Sequence, residues 1–326
     1  MKAALYHRYG PPDVVAIEDI PRPAIKPDEV LIRVHATTVS SGDWRLRSLS
    51  LPRGMKLIGR LAFGIKAPRQ KVLGTDLAGV IAETGAKVSR WKVGDTVIAF
   101  PNTRMGAHAE YVAMPADGII ARKPAKLSFA EAAAIPFGGL TALDFLQGKA
   151  KLQAGEKVLI VGASGATGSA AVQLARHLGA HVTGVCSGGN AELVLGLGAE
   201  RVIDYRQQDF TTERTRYDMI VDTTATAPWK KVRHMLTSRG RLVVISGGLG
   251  DMLRSLVNRR MIGGVSNGSI ERLNTLLSLV ETGAFFPLID RVYPFDHIVN
   301  AHAHVDSGRK KGAVVLSLSL SGNRDA

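Results

Sequence analysis

Residues 158 to 187 read VLIVGASGATGSAAVQLARHLGAHVTGVCS. Val158 to Val161 predict a buried strand and the turn Gly162-Ala163-Ser164-Gly165-Ala166-Thr167-Gly168 follows. Apolar residues at helical spacing from Ser169 to Leu178 then predict a helix, and HVTGVCS a second strand. This arrangement suits a diphosphate. Gly165 lets the backbone approach it, Gly168 lets the helix lie close to its strand, and the helix N-terminus offers free N–H groups and the positive end of its dipole. Ala163 stands at the first motif glycine, with Gly162 just before it. A site for NADH carries Asp or Glu after the second strand to bind the ribose hydroxyls, whereas this one ends in Cys186 and Ser187. Ser187 can donate to a phosphate oxygen, Asn190 lies close behind it, and Arg206 follows Tyr205 at the end of the next strand. The pattern favours NADPH over NADH.

The chain that must hold this turn has 326 residues, 45% hydrophobic and 21% charged, enough for two domains with substantial cores. Its apolar runs are broken by a charge or glycine before membrane-spanning length, and Met1 to Tyr6 lacks a signal-peptide pattern, so a cytoplasmic protein is expected. A single cysteine excludes an intrachain disulfide and a zinc knot of several thiolates. The net charge of +14 is scattered along the chain without aromatic interleaving, so a basic solvated surface is expected rather than a nucleic-acid groove.

Residues 1–124 carry short β-like runs such as EVLIRVHATTV, LAGVIAETG and DTVIAF, separated by Pro, Gly and Asp. From 125 to 267 apolar strands alternate with helices, which predicts a doubly wound parallel sheet. Residues 268–326 add an amphipathic helix, a short DRVYPF segment, another helix and a last strand, GAVVLSLSL.

The stretches GTDLAGVIAETG, KVGDTVIAF, AEYVAMPAD, EAAAIPFGGLTAL, GASGATGSAAVQLA, LGAERVIDY and KKGAVVLSL are distributed over nearly the whole chain. Together they resemble the medium-chain dehydrogenase/reductase superfamily, in its zinc-free, quinone-oxidoreductase-like branch. The resemblance implies an α/β protein with a GroES-like β catalytic domain (1–124 with 268–326), a Rossmann NADP-binding domain (125–267), a cleft at their junction, and a homodimer. It implies that Thr141 and the backbone around Ser246-Gly247 and Ser266-Asn267 align the nicotinamide. Zinc-dependent members need a thiolate in the stretch matching Ser40-Ser41-Gly42-Asp43 and a His-Glu pair after the glycine matching Gly74. Here Ser40 and Thr75-Asp76 stand there, so no zinc is expected. His297, His302 and His304 are expected to be solvated or locally bonded rather than ligands.

Without a Lewis acid, hydride delivery to an acceptor that is already electrophilic, a quinone or α,β-unsaturated carbonyl, is favoured. Known quinone reductases carry Asn and Tyr where this chain has Ser40 and Arg45. Arg45 is then the candidate oxyanion donor, with solvent exposure as its alternative role, and Ser40 the next candidate. Trp44, Phe63 and Phe137 are candidate pocket walls. The acid-free stretch RLRSLSLPRGMKLIGRLAFGIKAPRQKV is read as a lid over the pocket, with surface packing or contact with an anionic membrane as alternatives. Two further functions stay open: alcohol dehydrogenase or carbonyl reductase of the same superfamily, and a cofactor-binding module with little turnover.

Overall fold

The computed structural model describes residues 1–51 and 54–318. Pro52 and Arg53 of the acid-free stretch, and residues 319–326 at the end of the expected last strand, lie outside the described residues. β1 (Lys2–Tyr6) pairs antiparallel with β2 (Val15–Asp19). β3 (Glu29–Val39) leads to α1 (Ser41–Ser48) and α2 (Lys56–Phe63), and then to β4 (Leu77–Thr84), β5 (Thr96–Ala99), β6 (Tyr111–Pro115) and β7 (Ile120–Arg122). α3 (Phe129–Ala133) and α4 (Pro136–Leu143) cross to a second layer.

That layer runs through β8 (Lys157–Val161), α5 (Ala166–His177), β9 (His181–Cys186), α6 (Ala191–Gly196), β10 (Arg201–Asp204) and β11 (Tyr217–Asp222). It continues through α7 (Trp229–Val232), β12 (Leu236–Val244), α8 (Leu249–Val257) and β13 (Met261–Ile262). After α9 (Ile270–Glu281) the chain returns through β14 (Ile289–Pro294), α10 (Ile298–Asp306) and β15 (Ala313–Ser317) to the first sheet.

The strand order in the second sheet is β10-β9-β8-β11-β12-β13, all parallel. Its first strand in sequence lies in the middle and the order reverses between β8 and β11. In such a sheet ligands bind outside the carboxyl ends of the strands at that reversal, which is where the glycine turn leaves β8. The other sheet runs β14-β15-β3-β4-β5-β7, with β6 on β3. β3 holds it together by pairing with β4, β6 and β15 along its 11 residues.

One core runs through both layers: Ala36, Ile98 and Val315 of the first sheet share an apolar cluster with Leu140, Val158, Ile160, Val172 and Leu276. The stretch Phe129–Lys149, continued past α4 by a π-helical segment, is the one helix among the described residues long and apolar enough to cross a membrane by length and composition; 67% of it is buried in the molecule. Gly138 and Gly139 within this run are buried helix positions. A Cβ on Gly138 would stand 2.6 Å from Ala166 O, and one on Gly139 2.8 Å from Leu276. They bring α4 onto α5 and α9.

Gly168 is under a tighter constraint, since a Cβ there would lie 2.0 Å from Gly162 O, a backbone atom that cannot swing away. Gly168→Ala is expected to lower stability by about 2–3 kcal/mol, the range for overpacking a rigid site. Urea unfolding checks this; an unchanged midpoint would contradict the close helix–strand contact.

Candidate active site

The turn after β8 is bonded to its neighbours in a way that leaves its outer face free. The N–H groups of Gly162 and Ala163 both donate to Val185 O at 3.0 Å, and that of Gly165 to Gly162 O at 3.1 Å. Gly162 sits at φ 82°. The N–H groups of Ala166, Thr167 and Gly168, at the head of α5, have no backbone acceptor among the described residues. An anion at that spot meets three donors and the positive end of a 12-residue helix. Helix α5 begins at Ala166, three residues earlier than its apolar periodicity predicts. The residues present therefore fit a dinucleotide diphosphate.

Beside the turn, Asn190 Nδ2 donates to Ser164 Oγ at 3.1 Å and to Ser187 Oγ at 3.2 Å, so these three candidates from separate segments form one polar cluster. Tyr205 is exposed, its N–H donating to Cys186 O at 3.2 Å, and Arg206 is exposed next to it. Sequence reasoning missed Asp204. It pairs in register with Cys186, and its carboxylate would lie 2.5 Å from a Cβ on Gly188. An acid thus stands on the next strand, in register with the strand end that lacks one at 186 and 187; the signal was the acid of VIDY at the strand end. Burial, then the charge of Asp204, pushes the Cys186 thiol up to about 11, so it carries no thiolate at neutral pH.

On the first sheet's side, Ser40 caps α1. Its N–H and hydroxyl donate to Asp43 Oδ2 at 2.7 and 2.6 Å, and Asp43 Oδ1 accepts Gly74 N–H at 2.9 Å. Ser40 and Asp43 are buried, so the Ser40 proton is committed inside the capping box. Arg45, one turn on, is half-buried with no hydrogen bond or ion pair among the described residues, and burial lowers its pKa. Arg47, two residues later, is fully buried instead, donating to Gly10 O and to both oxygens of Asp306. Trp44 packs on the first sheet's core, and the Phe137 ring faces Gly42.

Asp76 is fully buried and accepts from Thr38 Oγ1 at 2.6 Å and from Phe137 N–H at 3.3 Å. Burial, reinforced by the Asp43 charge and opposed by these hydrogen bonds, raises it to about 7. Neither Ser40, Thr75 nor Asp76 supplies a thiolate or imidazole, the donors of the zinc site that this position holds in zinc-dependent relatives.

Thr141 gives its proton to Phe137 O at 2.7 Å and Ser246 gives its own to Thr223 O at 3.0 Å. Both hydroxyls therefore present only lone pairs. Gly247 lies against Asp251, Ser266 is half-buried, and Asn267 O accepts Asn102 Nδ2 from the first sheet's side at 2.6 Å. Phe63 is 36% exposed, and Leu57, Ile58, Leu61 and Ile65 around it are also exposed, so the expected apolar side of the 45–72 stretch is largely open to water. Gly54, in the turn before α2, lies against Leu249 of α8, so this stretch touches both layers. The histidines do not converge: His302 is fully buried, edge-on to His108 at 5.7 Å, and His304 bonds Asp290 and Tyr293.

Residues 26–125 match the alcohol dehydrogenase GroES-like domain family, and residues 197–316 the family described as zinc-binding dehydrogenase. The chain is 32% identical to the 2-methylene-furan-3-one reductase of Solanum lycopersicum over 97% of its own length and 79% of that protein's. It is 30% identical, with the same coverage, to the NADPH-dependent alkenal/one oxidoreductase of Arabidopsis thaliana chloroplasts. The quinone oxidoreductase structure from Coxiella burnetii superposes with a TM-score of 0.87 at 29% identity, over 98% of this chain and 99% of that one. A dinucleotide fold joined to a GroES-like domain defines a nicotinamide-dependent oxidoreductase. The protein belongs to the medium-chain dehydrogenase/reductase superfamily, among its quinone-oxidoreductase-like members.

The adenosine end yields a paired expectation. Ser187→Asp adds a second carboxylate beside Asp204 and is expected to weaken NADPH binding about ten- to a hundredfold, by leaving a charge unpaired against the 2′-phosphate. Asp204→Asn removes the repulsion and is expected to tighten NADPH relative to NADH. Titration of both cofactors against each variant checks this, and an unchanged ratio in both would remove this pocket from cofactor choice.

Proposed function

We propose that the protein is a zinc-independent, NADPH-dependent reductase of quinones or α,β-unsaturated carbonyls. The observation that carries the reading is the free N–H face of the glycine turn, set at the junction beside a buried Ser40-Asp43-Asp76 wall that offers no thiolate or imidazole. The neutral cluster Ser164-Ser187-Asn190 and the cation of Arg206 support NADPH. The reductase and alkenal/one oxidoreductase activities for which the tomato and Arabidopsis relatives are named support an activated alkene as the acceptor.

When bound, the reduced nicotinamide supplies the hydride. The protein's part is to orient and to stabilise charge. The lone pairs of Thr141 and Ser246 suit the amide N–H groups of a carboxamide. Hydride addition to the β-carbon of an enone leaves negative charge on the carbonyl oxygen, and a proton taken up afterwards completes the product. Arg45 is the oxyanion donor in this reading, because its guanidinium is half-buried and without a partner among the described residues. Ser40 positions α1 through its cap rather than donating to substrate. In the same reading Asp76 is the member of this wall assigned to proton exchange, its carboxyl raised to about 7 by burial. For assembly we propose a homodimer, which the edge of β13, bonded only to β12 among the described residues, accommodates.

Two measurements test this reading. Reduced-nicotinamide oxidation followed over a panel of quinones, enones, aldehydes and alcohols, with NADPH and NADH in parallel and with a strong chelator present, is expected to show turnover with NADPH and the first two classes, undiminished by the chelator. Activity lost to the chelator and restored by zinc, or NADPH binding with no acceptor-dependent oxidation, would overturn it. Arg45→Ala is expected to lower kcat by roughly ten- to a thousandfold with little change in KM for NADPH, and Arg45→Lys to recover part of the loss. A kcat/KM near that of the parent in Arg45→Ala would retire Arg45 from the chemistry.

A further inference from the structure

Between α10 and β15 the chain passes the glycine turn once more. Gly312 N–H donates to Ser164 O at 2.9 Å, and Gly165 and Gly312 pair as an isolated parallel bridge. Two residues earlier, Lys310 is partly buried and folds its side chain back so that Nζ donates to Gly312 O at 2.8 Å. An ammonium has three donors. Among the described residues this is its single hydrogen bond, and no carboxylate stands within 4.0 Å of it. Its neighbours Arg309 and Lys311 are exposed.

The two acids that face Lys310 are engaged elsewhere. Asp290 accepts from Lys311 N–H at 3.0 Å and bonds His304 at 2.7 Å, and Asp76 is held by Thr38 and Phe137. Burial lowers Lys310 to about 8, with Asp290 and then Asp76 opposing the shift. An underpartnered, desolvated cation is costly unless an anion completes it. The anion-ready N–H groups of Ala166, Thr167 and Gly168 lie on the turn to which Gly312 is bonded.

We propose that Lys310 is a diphosphate-binding residue, reaching from the C-terminal return of the first sheet to the cofactor held by the glycine turn of the second. The inference rests on the cofactor reading above and adds a ligand residue to it. Lys310 would add an ammonium to the donors that the helix N-terminus offers the diphosphate, and cofactor binding would then engage both layers where Gly312 meets Ser164. The neighbouring Lys311, exposed and with its N–H given to Asp290, takes no part.

The test is equilibrium titration, by fluorescence, of the full chain with NADPH and with adenosine 2′-monophosphate, which lacks the diphosphate. Lys310→Met is expected to weaken NADPH about ten- to a hundredfold, the range for a charge-assisted hydrogen bond, while leaving the monophosphate unchanged. Lys310→Arg is expected to restore most of the affinity. The parent's NADPH affinity is expected to fall as pH rises above about 8, because binding favours the protonated ammonium and that form is lost there. In Lys310→Arg the affinity is expected to stay level over the same range. Urea unfolding of both variants separates lost binding from lost folding.

Equal NADPH affinity in the parent and a folded Lys310→Met would overturn the proposal. So would a loss shared equally by NADPH and the monophosphate, or a fall in kcat with no change in NADPH affinity. If the parent itself binds no NADPH, the cofactor reading fails, a result distinct from these.

Discussion

Contact of backbone with backbone at the glycine seam is the constraint on which the rest of the structure depends. Gly168 rests on Gly162 O, Gly138 on Ala166 O and Gly312 on Leu288 O, at separations that admit no Cβ. The first contact fixes α5 against β8, the second brings α4 of the crossing stretch onto the head of α5, and the third lets the returning chain reach Ser164. A close seam costs side-chain packing at three places. In exchange the dinucleotide turn lies at the junction of the two sheets, where a hydride donor and its acceptor must meet.

Electrostatics complete what the seam begins. The junction wall is acidic but almost wholly satisfied: Asp43 accepts three donors and Asp76 two. Two cations near it lack carboxylate partners among the described residues, Arg45 on α1 and Lys310 on the return. Buried acids that are already bonded repel an incoming anion less strongly than free ones, and desolvated cations attract negative charge more strongly than hydrated ones, on the cofactor for Lys310 and on the substrate oxygen for Arg45 in the readings proposed above. The net charge of +14 therefore has a local meaning at two positions, besides its general one as a basic surface.

Much of the site was legible in the sequence because glycine spacing and strand–helix alternation are local signals. The turn 162–168, the strand–helix alternation and the choice of Ser187 and Asn190 as neighbouring candidates follow from residues close together in the chain. Two features depend on strand register or on tertiary return, which local patterns do not fix. Asp204 lies beside Gly188 because β10 pairs with β9, and Gly312 meets the turn because β15 closes a sheet begun at β3. The Ser40-Asp43 cap is local, and its Ser-x-x-Asp spacing was a signal in the sequence. The acid-free 45–72 stretch was legible as amphipathic, but periodicity cannot say which face meets protein, and α2 turns Leu57 and Leu61 to water.

The account stands or falls on where the hydride goes. The most direct measurement is single-turnover reduction of an enone with NADPH deuterated at the transferring position of the nicotinamide, with the product read by mass spectrometry and NMR. Deuterium at the β-carbon, together with a primary isotope effect on the single-turnover rate, is the expected result. Product without deuterium, or oxidation of the cofactor that proceeds equally without acceptor, would contradict it.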